Sequence, residues 1–185
     1  MSAELLPEQA SNGDAPRRSS HLAQLAQRRD DRLGARTLDL RVPAWEGRNG
    51  WGLVVRYRAL PYATVMPLMR RAAGPTMGVS DDPEAELKAA CDALISACVD
   101  MHVVTDRGEQ VPLDDRAEPP FRFDARTCEL LGLPEPKTAR EAVVLVYGGP
   151  NELAGEYAAV GAWGEYQEFV TASTGEVEEE VLGEA

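Results

Sequence analysis

Lysine, histidine and cysteine are scarce in this chain of 185 residues. Lys88 and Lys137 are its only lysines, so 17 of the 19 basic side chains are arginine. Two histidines, His21 and His102, leave little material for acid–base chemistry. Three cysteines, Cys91, Cys98 and Cys128, make no disulfide framework in a chain of this size. Long apolar runs are missing as well. The longest, Ala142–Tyr147, falls far short of the roughly 18 residues of a membrane span. The first residues, MSAELLPEQASNGDAPRRSS, are acidic and polar where a secretory signal would be basic and then apolar. A soluble protein of a reducing, cytoplasmic compartment is expected.

What the chain has is acid, unevenly placed. It holds 31 Asp and Glu, giving a net charge of -12 and a sequence pI near 4.6. Arg140 is the last basic residue, and ten glutamates follow it, so the stretch from Glu141 to Ala185 carries -10 of the -12. The preceding 140 residues are almost neutral, which argues against a nucleic-acid or membrane surface.

Residues 1–36 read as a flexible arm with a brief helical signal around His21–Leu33. The run Arg28-Arg29-Asp30-Asp31-Arg32 cancels much of its own charge and suits a solvated helix face. Folded structure is expected from Thr37, where Leu38, Leu40 and Val42 alternate with Asp39 and Arg41 in the period of a half-buried strand. Leu53–Leu60 repeats the pattern across a Gly-bearing loop, which predicts a β-hairpin. Pro61–Arg71 reads as a short helix interrupted by Pro67.

Asp82 and Pro83 then open the strongest helical pattern. Leu87, Cys91, Leu94, Cys98 and Met101 follow at spacings of four and three, so a five-turn helix ending near His102 is expected. A small hairpin around Asp106-Arg107-Gly108 comes next. Asp124 caps a short helix, and Thr138 with Glu141 forms a capping box for a helix to Tyr147. Asn151 caps a longer helix to about Val170, and residues 171–185 read as a disordered acidic tail. The expected fold class is α+β, mainly helical: a small N-terminal β-hairpin packed on a helical core in one domain over residues 37–170.

Catalytic and metal-binding patterns are hard to find. His21 lies in the arm, and His102 at a helix end would complement the dipole there. Cys91 and Cys98, seven residues apart on one helix, would have Cα atoms about 10.5 Å apart, too far for a disulfide or a shared metal. The loop Gly47-Arg48-Asn49-Gly50-Trp51-Gly52 lacks the Lys-Ser/Thr of a phosphate loop and precedes a strand. The pairs Asp81–Asp82 and Asp114–Asp115 lack the Gly and distal Glu of a calcium loop. No catalytic residue, cofactor or metal is expected, and the chain reads as a binding protein. Trp163, Tyr166, Phe169 and Val170 gather before the acidic tail as candidate partner-binding residues. Packing of the same residues on the N-terminal hairpin is the other reading.

The order of these segments resembles the tail assembly chaperones of long-tailed bacteriophages, particularly those of actinobacterial hosts. The resemblance lies in Leu40-Arg41-Val42-Pro43-Ala44-Trp45, a strand running into a Val-Pro-x-Trp turn, and in Val54-Val55-Arg56-Tyr57-Arg58-Ala59-Leu60. Leu94-Ile95-Ser96-Ala97-Cys98-Val99-Asp100 is similar to part of the family's central helix. Asp106-Arg107-Gly108-Glu109, Phe123-Asp124 and Thr138-Ala139-Arg140-Glu141-Ala142-Val143 are similar too, so the likeness covers roughly residues 37–165. The long arm before Thr37 and Pro67 depart from the pattern. The resemblance implies a non-enzymatic, self-associating late protein of the host cytoplasm. It would bind and solubilise the tape measure protein and help recruit tail tube subunits. A structural virion protein, such as a head–tail connector or tail completion subunit, is the alternative.

Overall fold

The computed structural model describes residues 15–47, 51–73, 82–116, 118–149 and 151–183. Two antiparallel strands, β1 (Thr37–Arg41) and β2 (Gly52–Arg58), form the expected hairpin, with Leu38 opposite Tyr57 and Leu40 opposite Val55. The described part of its connection contains a 3-10 turn, Pro43–Trp45, and the Gly47 N–H donates to the Trp51 carbonyl. Helix α2 (Tyr62–Ala73) retains Pro67 on its exposed side while Val65 and Leu68 turn inward. The expected loop over residues 74–81 lies outside the described residues, as does Asp81 of the first carboxylate pair.

Helix α3 (Pro83–Ala97) starts as its sequence dictates: Asp82 Oδ1 accepts from the Glu84 and Ala85 amides. It stops four residues earlier than the apolar spacing suggests. Cys98–Val104 is a strand, β3, paired antiparallel with β2, and β4 (Gln110–Pro112) follows it across a turn with Gly108 at φ +78°. The sheet order is β1-β2-β3-β4. Cys98 and Met101 are three apart, an odd spacing that would put them on opposite faces of a regular strand. A register shift between Arg56 and Tyr57 resolves this, because Tyr57 then faces Cys98 and Val55 faces Met101. Both side chains therefore enter the same core. β-Branched Val99, Val103 and Val104 favour the strand once β2 is there to pair with.

Helix α4 (Ala125–Leu130) is capped by Asp124, whose Oδ1 accepts from the Thr127 amide. Thr138 caps α5 (Ala139–Gly148) through the Glu141 amide, while the Glu141 carboxylate accepts from the Lys137 amide in place of the Thr138 amide of a capping box. Asn151 caps the first turn of α6 (Glu152–Gly183) by accepting from the Ala154 amide. The α5–α6 corner is tight: a Cβ on Gly148 would come within 2.7 Å of the Gly155 Cα, and one on Gly155 would overlap the Val144 carbonyl. Two small residues let these helix backbones touch. Arg140 joins α5 to α3 by donating twice to Asp92, at 2.6 and 2.7 Å.

The protein is thus α+β and mainly helical, with a four-stranded antiparallel sheet. Two expectations are corrected at its ends. The arm forms helix α1 (Ala15–Ala35) over its described part, and the acidic tail continues α6 to Gly183. The reason is a small second core. Leu33 is buried against Ala59 and Val177, with Phe169 and Val181 partly buried around them. Along α6, Tyr166, Val170, Ser173 and Val177 are all buried at spacings of four, three and four, so one helix face stays covered into the tail. Arg36 pairs with Glu176 at 3.0 Å and with Glu180 at 2.6 Å, and Arg32 lies 3.9 Å from Glu180. Burying a leucine contributes about 1.5–3 kcal/mol, whereas exposed ion pairs contribute about 0.2–1 kcal/mol each. Among the described side chains of α1, Leu33 is therefore the main anchor.

Candidate functional site

The aromatic cluster of α6 is core. Trp163, Tyr166 and Val170 are buried and Phe169 is half-buried, so their reading as a partner-facing surface is corrected. They pack on the sheet: Tyr166 meets Tyr57 edge-on at 5.9 Å and stacks with Trp163 at 5.8 Å. The Tyr166 hydroxyl donates to the Arg58 carbonyl at 3.0 Å and accepts from the Leu60 amide at 3.1 Å. It thereby satisfies the backbone where β2 ends, and burial pushes the phenol up to about 12. Aromatic residues suit partner surfaces, but a sheet this small also needs large side chains to cover it.

The other face of the sheet carries polar groups in cross-strand rows. Asp39, Arg56 and Asp100 are successive neighbours in one row, and Arg41, Val54, His102 and Pro112 in the next. Arg56 donates to both Asp39 oxygens at 2.7 Å and to Gln110 Oε1 at 3.1 Å. That guanidinium holds the Asp39 carboxyl below its ordinary range. Asp100 Oδ1 instead accepts from the Phe121 amide, tying the segment before α4 to β3.

His102 lies in this face, which corrects its expected place at a helix end. It is 6 % exposed, and its Nε2 has no hydrogen-bond partner. Burial lowers its pKa and Arg56 adds to that, against the opposing pull of Asp39 and Asp100. The residue is therefore held neutral. Its surroundings are a structural polar seam, and the Asp39–Arg56 pair is already mutually satisfied.

The cysteines also need a correction. Cys98 belongs to β3, so the helical spacing from Cys91 does not apply. All three thiols are free and buried. Burial pushes Cys91 and Cys128 up to about 11 and Cys98 to about 12, which makes them poor nucleophiles at neutral pH. Among the described residues, no group of three or more His, Cys, Asp and Glu is placed to hold a metal ion. Nor is any described helix long and apolar enough to cross a membrane.

Among the described residues the most exposed large apolar side chains are Tyr157, at 75 %, and Leu153, at 62 %. They lie four residues apart on α6, so they share one face of its first two turns. Ala154 and Gly161 are exposed nearby on the same helix. The inner side of this stretch is fixed by Gly155 against α5 and by buried Ala159. The sequence carries a signal for this pair. The first half of α6 has apolar residues on both sides, more than one core contact can cover. Trp51 and Tyr62, about half exposed, are further apolar surface on other elements.

The chain matches no family model, no curated protein and no solved structure.

Proposed function

We propose that this protein is a non-enzymatic tail assembly chaperone of a long-tailed bacteriophage. It binds and solubilises the tape measure protein in the host cytoplasm and helps recruit tail tube subunits, self-associating as it does so. The residues that resemble the family support this reading: Leu40–Trp45 and Val54–Leu60 make up one hairpin and its turn, and Trp45 Nε1 donates to the Val146 carbonyl of α5. The observation that carries the binding role is the exposed Leu153–Tyr157 pair on helix α6. A long helical client offers apolar side chains at spacings of three and four, and such a pair meets them in a helix-against-helix contact. Two anchors form a weak site, as suits a chaperone displaced when tube subunits arrive. The surplus of negative charge keeps the complex soluble.

Co-expression with the tape measure protein tests the proposal. The wild-type chain is expected to keep the client soluble and to co-purify with it. A Leu153→Asp/Tyr157→Asp variant, changed only at exposed positions, is expected to lose both effects while keeping its helical circular dichroism. A wild-type chain that stays monomeric and leaves the client insoluble would overturn the reading. Mass spectrometry finding it as a stoichiometric component of finished virions would favour a structural virion protein.

A further inference from the structure

Helix α1 is unevenly buried over residues 23–35. Its last turn buries Leu33 against Ala59 and Val177, whereas residues 23–28 are exposed throughout. Next to that contact an open cleft of about 350 Å³ is lined by Asp30 and Gly34 of α1 and by Ala59, Leu60, Thr64 and Ser96 of the body. The contact belongs to a cluster separate from the main core, and Gly34 beside the anchor has open space at its Cβ position. Charge is matched across the contact. Arg32 and Arg36 face Glu176 and Glu180 at the end of α6.

We infer that the last turn of α1 is a displaceable cover over a docking groove formed by Ala59, Phe169, Val177, Glu176 and Glu180. The groove takes, in trans, an amphipathic helix of defined chemistry: an aliphatic side chain with one arginine directly before it and another three residues after it. Arg32, Leu33 and Arg36 now supply that pattern from within the chain. The apolar floor accepts the aliphatic group, and the glutamate rim selects the flanking cations. Because the chain's own helix competes at very high effective concentration, the groove binds outside helices only as far as α1 is displaced. This inference does not depend on the tape measure reading, since any partner helix of that chemistry qualifies.

The test uses the full-length chain and a fluorescein-labelled peptide of residues 15–36 as the incoming helix, read by anisotropy. Leu33→Asp in the protein removes the internal anchor and is expected to raise peptide affinity by about tenfold or more over wild type. Adding Glu176→Lys/Glu180→Lys reverses the rim and is expected to abolish that gain. Arg32→Glu, a change at the rim, supplies the same comparison should Leu33→Asp prove poorly folded by circular dichroism. Opened variants that bind the peptide no better than wild type, or a gain that survives rim reversal, would overturn the inference.

Discussion

The Tyr57 and Tyr147 hydroxyls lie 2.7 Å apart, joining the sheet to helix α5 in the centre of the core. Both side chains are almost fully buried, and burial pushes both phenols above their ordinary range, so both stay protonated and one donates to the other. Tyr57 also carries the edge of Tyr166, and Tyr147 stacks near Phe123 at 6.3 Å. Sheet, α5 and α6 therefore meet at one polar contact within an apolar core.

Removing one hydroxyl strands the other. Tyr147→Phe or Tyr57→Phe is expected to cost about 1–3 kcal/mol, since a buried hydroxyl loses its partner without regaining water. The double variant is expected to cost clearly less than the sum of the two singles. Urea denaturation of the four proteins checks this. Strictly additive losses would mean that the two hydroxyls contribute independently.

The α5–α6 corner gives a second test. A Cβ on Gly155 would overlap the Val144 carbonyl, so Gly155→Ala must push the helices apart and is expected to cost about 1–3 kcal/mol or more. Gly161 on the same helix is exposed and has open space at its Cβ position. There alanine is expected to stabilise by about 0.4–1 kcal/mol. Equal thermal midpoints for the two variants would remove the close helix approach.

The capping residues and the alternating strands were readable because their signals are local. Asp82, Asp124, Thr138 and Asn151 each cap the helix that follows, and Leu38 and Leu40 face inward from β1. The failures came where distant segments decide. Cys98 and Met101, three apart, imitate a helical stripe, and only pairing with β2 through a register shift makes them strand residues. Leu33 is a lone leucine in a polar stretch until Ala59 and Val177 arrive from elsewhere in the chain. The glutamates of the tail read as disorder because their arginine partners lie 140 residues or more away. For the candidate site, aromatic composition pointed to Trp163 and Tyr166, which the sheet needs as cover, and away from the Leu153–Tyr157 pair.

His102 sets a pH window. Its imidazole is buried with Nε2 unpartnered, and its folded pKa is lowered from the ordinary 6.5. Between those two values the unfolded chain binds a proton that the folded chain refuses, so stability rises with pH there. The neutral imidazole's contribution is complete above about pH 6.5 and is lost as pH falls through that value toward the folded pKa. Asp39 from β1, Arg56 from β2 and Asp100 from β3 face it, and the depressed Asp39 carboxyl lies outside this window, because it loses its own contribution only below its ordinary value of 3.8. Denaturation midpoints are therefore expected to fall between about pH 7 and pH 5 in wild type. His102→Gln should flatten that slope. Parallel profiles for wild type and His102→Gln would show that the buried imidazole accepts its proton without loss, and that the seam beneath Arg56 admits water.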